Sequence, residues 1–386
     1  MLMSRVLVEL EKIDSTTESA QKGLRSIFRT ISIYAVFKLC KDITNKDLNS
    51  CDIYFAVRPC SPRSLSIAKA IKKSGKIYIA YFDDDLLHLP GMLSWKRNNI
   101  QNCLKVADVV VGVNPNLVEE YRELSVSHRA AVINTPILKN DLLMPRKIQN
   151  IVNFVYAAGR DHELCFERLL LQPLKEFMKD YHDKVHFTFI GVEPNVSAVG
   201  YNECFTFVGL MPLDEYNEYM MSHRFDIGLA PLDDNSFNNH KYFNKYIEYS
   251  KLGILGLYSN CKPYTFVVQN DENGYLIDNT PDSWLKIMKD LMNSYDSIYR
   301  NVCRAQKNLS DNFSLEYVAD SLLAQIPEFC EFKNEESVDW RASRATDLRF
   351  ELYDKCKKMS EQYKTRGTKG ILKLVKNHLK DKKKRS

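Results

Sequence analysis

No two of the ten cysteines scattered through these 386 residues stand at C-x-x-C spacing. Neither a disulfide framework nor a cysteine-ligated zinc site is indicated, so the thiols read as buried groups in a reducing compartment. The opening stretch MLMSRVLVELEK lacks the long apolar core of a signal peptide, and no stretch approaches the length that crosses a bilayer. The expected location is therefore cytoplasmic. No internal repeat appears at a solenoid period, and no low-complexity linker interrupts the chain. The net charge of +5 is modest, and with no nucleic-acid motif present, nucleic acid is not an expected partner. A hydrophobic content of 45% and a charged content of 27% are ordinary for a soluble globular protein. The length suggests two domains, or three, each with its own core.

What is present is organised around residues 225–277. Ile227 to Leu232 is an apolar run that includes Pro231, the pattern of a buried strand ending at a sheet edge. After an Asn- and Asp-rich loop, apolar residues at Tyr246, Ile247, Tyr249 and Leu252 predict a helix with one buried face, stopped at Gly253. Ile254 to Tyr258 predicts the next strand. Strand, loop, helix and strand in this order build a parallel sheet. Lys241, Lys245 and Glu248 are spaced four and three apart, so a helix would put them on one face. Two ammonium groups suit a diphosphate, and a carboxylate one turn on suits a ribose diol.

The same alternation runs through the rest of the chain. Val6–Leu10 predicts a first strand, with the hydroxyl-rich Asp14–Ser19 capping the helix after it. CDIYFAV and KIYIAYF predict two more strands around a helix that ends at Gly75. The second of these strands ends on Asp83, Asp84 and Asp85, at the edge where open α/β sheets place ligands. Arg58 ends the preceding strand and would pair with these carboxylates or bind an acidic acceptor. Helix capping by a solvated Asp83–Asp85 run is the competing reading. Residues 139–150 are polar and predict a linker. Beyond it, Val152–Ala157 predicts a strand, and Gly159 allows a close turn carrying Arg160 and His162. Arg160 suits phosphate at a helix start, and His162 is a candidate donor-site contact.

FDIGLAPL, the FN..K...K..EYS..GI run and the later NGYLI closely resemble group 1 glycosyltransferases of the bacterial surface-polysaccharide type. KIYIAYFDDDLLHLP resembles a stretch of one bacterial branch of the same enzymes. The resemblance covers residues 150–330 well and the N-terminal half more loosely. It implies an α/β protein of GT-B architecture, two Rossmann-like domains whose parallel sheets face a central cleft. The expected division is 1–138 for the acceptor-side domain, 139–150 for the linker, 151–330 for the nucleotide-sugar domain and 331–386 for closing helices and a tail. The implied activity moves a hexose-type sugar from a nucleotide-diphosphate donor to a glycan or lipid-linked acceptor, with retention. No cofactor and no metal are implied, because these enzymes neutralise the diphosphate with protein cations. Arg160, Lys241 and Lys245 would stabilise the leaving group. Gly159, His162, Glu248 and the backbone near Leu210 to Pro212 would hold the donor, with Arg58, Asp83, Asp84 and Asp85 on the acceptor side.

The sequence departs from the family in two places. The first turn, Ser15–Thr17, lacks glycines. Of two family glutamates eight positions apart, the second aligns with Glu248, but the first falls at His240, and Lys241, Tyr242 and Phe243 replace a Gly-rich turn. His240 then stands at the donor site in the place of a carboxylate. A non-catalytic nucleotide-sugar-binding or assembly subunit is the alternative reading. From Arg366 onward nine residues are Lys or Arg, with Ile371, Leu372, Val375 and Leu379 forming an apolar stripe. A basic amphipathic helix of this kind suits the inner face of an anionic membrane. Nucleic-acid binding competes but ranks lower, since no aromatics interleave with the basic residues, and a solvated tail is the third reading.

Overall fold

The computed structural model describes residues 4–12, 15–137, 142–145, 148, 150–159, 163–343, 346–349, 352 and 356. Strands and helices alternate to give two six-stranded parallel sheets. The first contains β1 (Arg5–Leu10), β2 (Tyr34–Leu39), β3 (Ile53–Val57), β4 (Ile77–Phe82), β5 (Val109–Gly112) and β6 (Ala130–Val132), in the order β2-β1-β3-β4-β5-β6. The second contains β7 (Val152–Ala157), β8 (Val185–Ile190), β9 (Phe205–Val208), β10 (Ile227–Ala230), β11 (Leu255–Ser259) and β12 (Tyr275–Ile277), in the order β12-β11-β10-β7-β8-β9.

The inner strands are continuous apolar runs because helices cover both of their faces. Every residue of β3, β4 and β5 is buried. The helices start where the sequence supplies caps. Ser61 and Thr280 each accept a backbone N–H at a start that carries proline in the first turn. Gly253 ends the helix Asn244–Lys251 with φ +73°, and a Cβ there would lie 2.9 Å from the carbonyl of Leu143. Few residues other than glycine fit such a stop.

Strand order reverses beside the first strand of each sheet, between β1 and β3 and between β7 and β10. Open α/β sheets leave a crevice at the carboxyl ends of strands at such points. β2 and the helix Tyr295–Asn312 were not expected from the sequence. β2 is an edge strand whose first residue, Tyr34, is 70% exposed, so its pattern is less apolar than that of an inner strand. The linker expected at 139–150 falls largely outside the described residues.

The C-terminal elements tie the two sheets together. The helix Leu315–Gln325 packs on the helix Ser15–Thr30 of the first half. One apolar core runs from Val8 and Phe55 through Tyr246 and Phe313 to Leu322 and Phe329 without a break. The chain then straps back over the first sheet. Asp52 accepts from Arg5 at 2.7 Å and from Lys333 at 3.1 Å, and the indole of Trp340 donates to Ser66 at 2.9 Å. The basic tail at 366–386 lies outside the described residues. No described helix is long and apolar enough to cross a membrane.

Candidate functional site

A cavity of about 750 Å³ opens at the switch point of the second sheet. Its floor is the carboxyl ends of β7, β8 and β10, with Gly159 and Gly191 at the turns. Gly191 has φ +79°, and a Cβ there would come within 2.5 Å of the carbonyl of Ala158. Its bare backbone keeps the floor open. Leu210, 70% exposed, forms one wall with Met211 and Pro212, and Lys241, Asn244 and Lys245 form the opposite one.

Lys245 and Glu248 lie one turn apart on the helix Asn244–Lys251, and Lys245 Nζ is 2.8 Å from Glu248 Oε2. Tyr216 completes the group. Its hydroxyl donates to Glu248 Oε1 and accepts from Lys245 Nζ at 3.1 Å. Burial beside the Glu248 carboxylate pushes the Tyr216 phenol far up, so it stays a donor. Lys245 and Glu248 are each about one-quarter exposed, and Lys245 and Tyr216 line the cavity while Glu248 stands behind them.

Lys241 corrects the expectation from spacing. It precedes the helix by three residues and does not share a helix face with Lys245. The segment from 235 to 243 is instead held against the first domain. Asn114 caps the helix Pro115–Glu123 with its Oδ1, while its Nδ2 donates to the carbonyls of Asn239 at 3.0 Å and Lys241 at 2.6 Å. The Tyr242 hydroxyl accepts from the backbone of Thr135 at 2.9 Å. Lys241 thereby lines both the large cavity and a second one of about 320 Å³ facing the first sheet.

Arg58, Asp83 and Asp84 line that second cavity. Arg58 sits at φ 53°, a left-handed conformation uncommon for a non-glycine residue, and its guanidinium bonds to Asp83. Burial raises Asp84 above the usual carboxylate range, against the pull of Arg58. Asp85 does not join them. Its side chain turns away into the junction between the halves, where it is 1% exposed. There Oδ2 meets Nδ1 of His240 at 2.7 Å and Nδ1 of His88 at 2.8 Å, and Oδ1 accepts from the Tyr121 hydroxyl at 3.0 Å. Burial alone would raise Asp85, but these donors hold it down at about 2, and the same contact raises His240. Among the described residues, the walls of the two cavities do not include His240. Arg160 and His162 lie outside the described residues.

Tyr216, Asn114, His88 and Glu120 are the site residues that the sequence did not disclose. Tyr216, Asn114 and Glu120, which faces His88 and His240 at 3.6 Å, lie in other loops or helices than the groups they meet, so no local spacing points to them, while His88 stands three residues after Asp85 in the same turn.

By sequence, no protein-family model and no curated protein matches the chain. Solved structures match it in fold. HepE of Anabaena, crystallised with UDP and glucose, aligns at a TM-score of 0.58 and 10% identity, over 84% of this chain and 100% of its own. A glycosyltransferase from Rickettsia africae aligns at 0.56 and 14% identity, over 85% of this chain and 98% of its own. Sucrose-phosphate synthase from Thermosynechococcus elongatus aligns at 0.55 and 9% identity, over 84% of this chain and 98% of its own. At such identities the likeness is one of fold. Two parallel Rossmann-like sheets, each with a crevice at its switch point, give this chain the GT-B fold.

Proposed function

We propose that the chain is a glycosyltransferase that moves a sugar from a nucleotide-diphosphate sugar to a glycan or lipid-linked acceptor, with retention and without a metal at the diphosphate. The observation that carries this reading is the pair of adjoining cavities with Lys241 on the shared wall. The larger would hold the donor, its base against Leu210 to Pro212 and its ribose at Glu248. Lys241 and Lys245, with Arg160, would oppose the negative charge that grows on the leaving diphosphate. The smaller would hold the acceptor beside Arg58, Asp83 and Asp84. HepE was crystallised with UDP-glucose, which supports a donor of this chemical class.

The test is transfer from a panel of labelled nucleotide sugars onto glycan and lipid-linked acceptors, with the anomeric configuration of the product read by NMR. Lys245→Ala removes one charge-assisted contact, about 1.5–3 kcal/mol, and should cut turnover roughly 10- to 150-fold. Full activity in that variant would remove Lys245 from the site. The second reading, a nucleotide-sugar-binding subunit without transfer, is favoured by His240 standing where relatives carry a carboxylate. Binding of a nucleotide sugar with neither hydrolysis nor transfer would select it.

The tail is assigned to the membrane surface on its charge and apolar stripe. Deleting residues 366–386 should leave donor binding unchanged and reduce sedimentation with anionic vesicles, an attraction that weakens with salt over a Debye length of about 8 Å. If the full-length chain ignores such vesicles at low salt, the acceptor is soluble.

A further inference from the structure

We propose that Glu9, Glu11 and Cys40 form a buried binding site for one zinc-like divalent cation at the carboxyl edge of the first sheet. Strand pairing brings the three together. Glu9 lies in β1, Glu11 directly follows that strand, and Cys40 opens the turn after β2. In the parallel register Leu10 lies opposite Leu39, so Cys40 falls beside Glu11. One oxygen from each glutamate and Cys40 Sγ lie within 4.8 Å of one another. No spacing in the sequence announces this set, because Cys40 meets the two glutamates only once β1 and β2 pair. None of the three lines either cavity, so the inference stands apart from the transfer reading.

Glu9 is the group that calls for a ligand. It is 0% exposed, and neither of its carboxylate oxygens has a hydrogen-bond partner among the described residues, although Ser64 and Cys40 stand beside it. The Ser64 hydroxyl, also fully buried, has no partner either. Buried polar groups are nearly always paired, with protein, water or an ion. Glu11 is half-buried and held in place, one oxygen accepting from the backbone N–H groups of Cys60 at 2.9 Å and Ser61 at 2.7 Å. Cys40 is held less tightly, its Sγ 3.8 Å from Ser61 Oγ. Two carboxyls this close in a dry interior repel each other when both ionise. A divalent cation between them removes that repulsion.

Two carboxylates and a thiolate suit zinc better than calcium or magnesium, which take oxygen ligands. Tetrahedral zinc, with bonds of about 2.0–2.3 Å, sets neighbouring ligands roughly 3.4–3.6 Å apart, so the three atoms close by about 1 Å around the ion. Ser64 Oγ offers a fourth ligand beside Glu9, and the half-buried Glu11 is the way in from solvent. Arg63, which donates to the carbonyl of Cys40 at 2.9 Å, adds a positive charge near Glu9, and Lys96 adds one near Glu11. The ion takes the place of the protons on the Cys40 thiol and Glu9, which pass to solvent. Tyr78 and Cys103, near Glu9, keep theirs, because burial pushes both far up. Without the ion, Glu9 stays neutral by keeping its proton, so binding tightens as pH rises.

The experiment is zinc titration of the full-length chain by calorimetry after chelator treatment, repeated with cobalt(II) and read by absorption. One ion per chain is expected, with the cobalt form showing a sulfur-to-metal charge-transfer band that Cys40→Ser abolishes. Glu9→Gln replaces a proton-bearing carboxyl with a neutral group of the same shape, and Glu11→Gln changes a half-buried one. Both should fold while binding zinc at least tenfold more weakly, and zinc should raise the Tm of the wild type but not of Glu9→Gln. No saturable binding, a cobalt form without the sulfur band, a band that survives in Cys40→Ser, or wild-type affinity in both glutamate variants would overturn the proposal. Because the readout is binding, its failure leaves the transferase reading untouched.

Discussion

Single residues explain why some of the site could be read from the sequence and some could not. Lys245 and Glu248 were legible because three-residue spacing puts them one turn apart on any helix, and the structure joins them at 2.8 Å. Lys241 lines the cavity too, but not from the helix face that its spacing suggested, since it stands in a loop fixed by Asn114. The division of labour among Asp83, Asp84 and Asp85 was not legible at all. Which of three adjacent carboxylates turns inward depends on the nearby His88 and on Arg58, Tyr121 and His240, which are distant in sequence. Glu9 is a similar case, a carboxyl in a strand that pattern alone reads as apolar. It is fully buried, and burial together with the nearby Glu11 charge pushes its pKa well above the ordinary 4.5. Above that pH the native state keeps a proton that the unfolded chain has released, so stability falls as pH rises, by up to about 1.4 kcal/mol per unit. Glu9→Gln should therefore flatten the dependence of Tm on pH between about pH 5 and pH 8 and raise Tm at the upper end. Thermal melts across that range check it, and an unchanged slope would show that Glu9 ionises normally in the fold.

Elements were legible where burial on two faces imposes a continuous apolar run, as in β3, β4 and β7. They were not legible where an edge strand relaxes that demand, as in β2. The element that matters most for the site is the segment from 235 to 243. It holds one short helix, Ser236–Asn239, capped by Asn235, and from Asn239 to Tyr242 its course is fixed by bonds to the first domain. Asn114 is the pivot, bonding two of its carbonyls while capping its own helix. Asn114→Ala should leave two carbonyls without their donor and a helix without its cap, a combined cost of roughly 2–4 kcal/mol. Chemical denaturation measures that cost. The same variant should loosen Lys241, so donor affinity should fall with stability. Loss of stability with donor affinity intact would mean that the loop does not carry the site.

At the scale of the whole molecule, the two-domain α/β plan was readable from the alternation of strands and helices. Identities of 9–14% to solved GT-B structures show that this plan survives when almost every residue differs. The strap that carries Trp340 back to the first sheet is the part that no periodicity announced. The central claim is that the larger cavity takes a nucleotide-diphosphate sugar through Lys245 and Glu248. The most direct test is thermal stabilisation of the purified chain by a panel of nucleotide sugars, run beside Glu248→Gln. A ligand at a hundredfold excess over Kd contributes about 2.7 kcal/mol, enough to raise Tm by a few degrees. The account predicts that at least one nucleotide sugar raises the wild-type Tm, that its 2′-deoxy form does so less, and that Glu248→Gln melts like wild type without ligand but loses most of the shift. If no member of the panel stabilises the wild type at millimolar concentration, or if Glu248→Gln responds as the wild type does, the cavity is not the nucleotide-sugar site described.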